Sequence, residues 1–165
     1  EMLRKGKAAP DVLIFLGDDI PVKTLTHRLP RHLDELDWDV CTGDALQKRI
    51  SATKDGFMTT PDSIFYKALI VEDGVYVSPE SQRKIDMLRS SGVRILKDGA
   101  SIERPLQIME GKDSVVHTHR KIGNKDVFFI ANITTAPVTI RYTFAGNRKQ
   151  YKLKLRPGES GFIKK

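Results

Sequence analysis

At 165 residues, with 39% hydrophobic and 30% charged residues, the chain is long enough to bury a real core and too apolar to be disordered. No stretch approaches the ~18 consecutive apolar residues of a membrane span, and Glu1 to Lys7 is followed by no signal-peptide core, so a soluble chain without a membrane partner is expected. The single cysteine, Cys41, excludes an internal disulfide framework and reads as a buried strand residue.

Lys and Arg number 28 against 21 Asp and Glu, a net charge of +7 that invites a nucleic-acid reading. Residues 1–110 hold 16 basic and 18 acidic residues, whereas residues 111–165 hold 12 and 3. The basic excess therefore belongs to the last third. This shift places a domain boundary within Gly99–Asp113 and divides the chain into 1–105, an α/β domain, and 106–165, an antiparallel β domain. Basic and apolar residues alternate along the predicted strands, as on a solvated sheet face, and no nucleic-acid module signature is present, so no nucleic-acid partner is expected.

In chain order, Glu1 to Ala9 reads as the end of a helix. Pro10 to Asp19 contains an unbroken apolar run, Val12 to Leu16, closed by Gly17, Asp18 and Asp19. Such a run without period-2 alternation predicts a strand buried on both faces of a parallel sheet. Ligands bind beyond the carboxyl ends of such strands, which makes Asp18 and Asp19 the candidate ligand-binding residues. Ile20 to His32, with Pro21, Pro30 and the cationic or histidine residues Lys23, His27, Arg28 and Arg31, is a predicted long loop. Trp38 to Cys41 reads as a strand and Gly43 to Ile50 as a short helix.

Asp55 and Gly56 predict a hairpin within Ser51 to Thr60. Ile64 to Val71 is a second buried strand, ending at Glu72, Asp73 and Gly74. Ser78 as N-cap, Pro79 at the first helical position, Glu80 near the positive end and Gly92 as the stop define the clearest helix. Val93 to Leu96 then completes a βαβ unit. From Ser114 the period becomes 2. Val116 to Lys121 and Asp126 to Asn132 flank a Gly123–Asn124 turn, and strands follow at Val138 to Phe144, Tyr151 to Arg156 and Gly161 to Ile163.

Asp18, Asp19, Asp73 and Lys97 together resemble the acidic pocket of a phospho-receiver domain, where paired carboxylates hold Mg²⁺. The order of elements around Asp73 departs from that pattern. His117 and His119 share a strand face as a possible metal pair, but no third ligand stands at suitable spacing, so no metal or other cofactor is expected. Asn132, Ile133 and Thr134 form an N-glycosylation acceptor pattern. A carbohydrate-binding module would need an exposed aromatic platform, and Trp38 is the only tryptophan.

The ordered series 2–21, 36–46, 54–56, 66–71 and 78–92, followed by His119, Arg120 and the run Asp126 to Asn132, resembles the region after the catalytic barrel in glycoside hydrolase family 106, the α-L-rhamnosidases. That resemblance implies a small flavodoxin-like or amidotransferase-like α/β domain followed by an antiparallel, β-sandwich-like domain. It implies a non-catalytic accessory fragment whose partner is the parent's catalytic barrel, with carbohydrate as a further partner. The family's acid and base glutamates and its calcium site belong to that barrel, so no catalytic residue is assigned to any position here. A periplasmic or secreted location follows if the parent carries a signal peptide. Compared with the family, the connection from Leu96 to His117 and the tail after Gly146 are short.

Overall fold

A computed structural model describes residues 5–19, 33 and 36–165. The expected loop Ile20 to His32 lies outside the described residues. In chain order the strands are β1 (Lys7–Ala8), β2 (Val12–Phe15), β3 (Trp38–Cys41), β4 (Ser51–Ala52), β5 (Met58–Thr59), β6 (Phe65–Tyr66) and β7 (Ala68–Val71). After them come β8 (Arg94–Leu96), β9 (Leu106–Glu110), β10 (Val115–Ile122), β11 (Lys125–Asn132), β12 (Val138–Phe144), β13 (Tyr151–Leu155) and β14 (Ser160–Lys164). Helix α1 (Gly43–Arg49) follows β3, and α2 (Pro79–Ser90) joins β7 to β8.

The chain divides into two compact units, Pro10–Ile102 and Glu1–Ala9 with Glu103–Lys165. The first is built on a parallel sheet of order β3, β2, β7, β8. Strand β2 lies inside it, and all four of its side chains are buried, as the unbroken apolar run predicts. Leu13 and Phe15 pack with Leu46 of α1 and with Ile85 and Leu88 of α2, while Val12 and Ile14 pack with Leu33, Leu36 and Ile102. Helix α2 begins as its sequence dictates, with Ser81 N donating to the Ser78 hydroxyl at 3.2 Å.

The run Ile64 to Val71 is not one strand. It breaks at Lys67, so that β6 joins the small antiparallel sheet of order β4, β5, β6 and β7 joins the parallel sheet. The break has a physical cause in Asp11, buried to 2% exposure at the amino end of β2. Lys67 N donates to the Asp11 carbonyl at 2.8 Å, its Nζ reaches Asp11 Oδ1 at 2.6 Å, and Asp37 N donates to Asp11 Oδ2 at 3.1 Å.

The second unit contains two antiparallel sheets, of order β1, β10, β11, β14 and β13, β12, β9. Their inward residues, among them Val115, Phe128, Ile130, Ile140, Phe144, Leu155 and Ile163, share one core. The Gly123–Asn124 turn sets the β10 to β11 register, with His119 opposite Phe128 and Lys121 opposite Asp126. The fold class is therefore α/β followed by antiparallel β, and most of the described secondary structure is strand.

The N-terminal segment departs from the expected helix end. Lys7 and Ala8 pair with Lys121 and Arg120, and the Arg120 guanidinium donates to the Lys5 and Gly6 carbonyls at 2.9 Å each. Gly6 adopts φ +71°, and a Cβ there would stand 2.1 Å from the Lys121 carbonyl oxygen, so only glycine lets the segment lie this close. The first nine residues thus join the β unit, and the division falls after Ala9 and after Ile102 in place of the single expected break between 105 and 106. Strand β9, within the region read as the domain boundary, was not expected because its alternation spans only five residues.

Replacing Lys67 by Met strands the buried Asp11 carboxylate without a cation. Lys67 itself is 37% exposed, so a loss of about 2 kcal/mol is expected in urea unfolding at neutral pH. Asp11→Asn, which leaves an ammonium able to reach water, should cost less.

Candidate functional site

The carboxyl edge of the parallel sheet is where an α/β unit of this kind would hold a ligand. Gly17, Asp18 and Asp19 follow β2 there, Thr42 and Gly43 follow β3, Asp73 follows β7 and Lys97 follows β8. The Asp18 carboxylate turns inward. Its Oδ2 accepts the Ser78 backbone N–H at 2.7 Å, and its Oδ1 accepts the Ser81 hydroxyl at 2.9 Å. Ser81, fully buried, also receives a hydrogen bond from Gln47 Nε2 of α1 at 3.3 Å. Asp18 is thus the anion at the N-terminus of α2, a position where phosphates and carboxylates of ligands bind in other folds.

Gly43 opens α1 against the same carboxylate, and a Cβ at Gly43 would stand 1.5 Å from Asp18 Oδ1. Cys41, at the end of β3, is buried, and its thiol pKa is pushed up to about 12, first by burial and then by the Asp18 charge. A thiol this hard to ionise is no nucleophile. Asp19 is exposed. Asp73 and Lys97, both exposed, form an ion pair at 2.5 Å. The structure therefore separates the four residues of the receiver-like pattern into an internal helix cap, an exposed carboxylate and a surface pair. Among the described residues no group of three or more His, Cys, Asp or Glu side chains is arranged to hold a metal ion.

In the β unit, His119 is buried, its Nε2 lies 2.8 Å from Asp126 Oδ1, and its ring stacks on Phe128 at 4.3 Å between centroids. Asp126 was not foreseen as its partner, although the Gly123–Asn124 turn places both on one face of the hairpin. His117 stands on the same strand, half-buried. The glycosylation pattern at Asn132 has another role. Asn132 is 2% exposed, its Nδ2 donates to the Ala136 and Arg156 carbonyls at 2.8 and 3.0 Å, and its Oδ1 accepts Thr134 N and Oγ1. That side chain staples the turn before β12 and cannot carry a glycan. No helix among the described residues is long and apolar enough to cross a membrane.

The fold matches the structure of a rhamnosidase from Novosphingobium sp. PP1Y with a TM-score of 0.74 at 13% identity, over 98% of this chain and 23% of that one. The family model for alpha-L-rhamnosidase matches residues 1–108, and the chain belongs to that family. A Formosa agariphila protein provisionally named a beta-glucuronidase is 24% identical over 208 aligned positions, covering 99% of this chain and 17% of its own length. The chain thus spans about a fifth of the length of these relatives.

Two expectations follow for the strand-end crevice. Gly→Ala in a helix ordinarily gains stability, but Gly43→Ala should cost about 1–3 kcal/mol through its collision with Asp18. The same substitution in an Asp18→Ala background should cost less, the remaining close approach being to the Ser81 hydroxyl at 2.9 Å, which a double-mutant cycle of chemical denaturation measures. The raised Cys41 pKa stabilises the fold fully below the unfolded thiol value of 9.0, and this contribution is lost as pH rises towards about 12. A Cys41→Ala variant should therefore lose less stability than the parent across that window, and the native thiol should resist a disulfide reagent at pH about 8.

Proposed function

We propose that this chain is a non-catalytic accessory part of an α-L-rhamnosidase-type glycoside hydrolase, which buttresses a catalytic barrel lying outside these residues. One observation carries the reading: a likeness along nearly the whole chain accounts for less than a quarter of a rhamnosidase. In this reading the parallel sheet is flavodoxin-like, because the order β3, β2, β7, β8 is that of the first four strands of the flavodoxin pattern. The two antiparallel sheets form a sandwich-like companion over their shared core.

The parent would cleave a terminal rhamnose-like sugar with paired carboxylates in its barrel, and it would be periplasmic or secreted if led by a signal peptide. Asp18, with both oxygens engaged by α2, serves the interior of this chain. Asp19, exposed beside it, is the member of the pair that can face a substrate held by the barrel.

The purified chain is expected to release no chromophore from an aryl α-L-rhamnoside. Turnover that survives purification controls would overturn the accessory reading. The gene upstream of Glu1 is expected to encode a barrel of about 250 residues or more. A second check is physical: a barrel expressed with this region should melt higher than the same barrel expressed alone.

A further inference from the structure

We propose that the outer face of the β9, β12, β13 sheet is a docking surface for a uronate-bearing, hence polyanionic, polysaccharide. The proposal rests on the glycoside hydrolase reading for its choice of a glycan. The surface itself comes from charge and register. Lys152 and Lys154 alternate with the inward residues Tyr151, Leu153 and Leu155, so both project from the outer face of β13, about 7 Å apart along the strand. The register sets Lys152 opposite Arg141 and Lys154 opposite Thr139 on β12.

Like charges directly opposite each other destabilise a sheet, yet this face brings three cations together. Glu110 on β9 takes one of them, its Oε2 lying 2.9 Å from Arg141 Nε. Lys152 and Lys154 have no ion-pair partner among the described residues. The nearby carboxylates form no ion pair with them among the described residues. Residues 111–165 contain three acids: Asp126 is engaged by His119, Glu159 Oε2 accepts Arg156 N at 2.6 Å, and Asp113 sits in the 3₁₀ turn Lys112–Ser114. The loop after β12 adds to the same charge, because the Thr143 hydroxyl holds the Asn147 and Lys149 carbonyls at 2.8 and 2.9 Å and so keeps exposed Arg148 beside the sheet.

What fits is an extended partner that is negatively charged at regular intervals and rich in hydroxyls. Uronate carboxylates meet the lysines, as Glu110 already meets Arg141, and sugar hydroxyls meet Thr139 and Gln107. A charged rim of this type sets on-rate and salt sensitivity more than buried contact.

The test is affinity electrophoresis of the full chain in gels containing polygalacturonate, neutral dextran or no polymer, with double-stranded DNA binding measured beside it. Retardation by polygalacturonate alone is expected, weakening as salt shortens the screening length below about 10 Å. Lys152→Glu with Lys154→Glu should weaken it about tenfold. Lys54→Glu with Lys125→Glu, which makes the same charge change at two exposed positions, one in a turn and one at the start of β11, should leave it nearly unchanged. The Lys152→Gln, Lys154→Gln pair, checked for an unchanged melting temperature, guards against misfolding.

Equal loss in both Glu pairs would reduce the effect to net charge and overturn the surface. Absence of retardation, or DNA binding as tight as polygalacturonate binding, would overturn the glycan. If the lysines act only to keep edge strand β13 from pairing with other chains, the Glu pair will stay monomeric and retarded like the parent, and the proposal fails. Binding is read without turnover, so a catalytically active chain would end the accessory reading and leave this result untouched.

Discussion

One carboxylate ties together the ends of three elements. Asp18 follows β2, caps α2 through Ser78 and Ser81, and lies against the first residue of α1. The positive ends of helices at the mouth of a parallel sheet call for an anion, and many α/β proteins leave that place to a phosphate or a substrate carboxylate. Here the chain supplies its own. The unit can therefore be complete without a ligand, and Gly43 is fixed as glycine by the same arrangement. Cys41, buried beside it, is held as a thiol in part by the same negative charge.

The opposite end of the same sheet is held by a second carboxylate in a different manner. Asp11 is more deeply buried than Asp18 and depends on a half-exposed lysine and a backbone amide. Between them the two acids fix the chain at both ends of β2, and the apolar strand supplies burial on both faces. Polar anchors above and below a wholly apolar segment give β2 one register, which hydrophobic burial alone specifies weakly.

Much of this was legible in the chain itself. The apolar run at Val12 to Phe15, the cap at Ser78 with Pro79, and the Gly123–Asn124 hairpin are local signals, and each element stands where its residues predict. Three of the misses share one physical character: their causes lie far away in sequence. The partners of Asp18 are 60 and 63 residues on, Asp11 lies 56 residues before the lysine that breaks the Ile64 to Val71 run, and β1 pairs with residues more than a hundred positions later. Local propensity read the first residues as helix because nothing nearby records the strand that claims them. Asp18 and Asp19 do follow β2, but whether the Asp18 carboxylate faces outward or inward depends on those distant partners.

The pairing of β1 also bears on how the molecule comes into being. Arg120 grips the Gly6 carbonyl across 114 residues, so the whole α/β unit is threaded between the first strand of the β unit and the rest of it. During synthesis from the N-terminus, the α/β unit has all its residues available while Lys7 and Ala8 still await β10. Closing so long a loop by chance is slow, but a folded unit within it shortens the effective distance to be searched. The β unit thus inherits its assembly order from the unit inserted into it, and a fault in the α/β core would leave the first strand without its place.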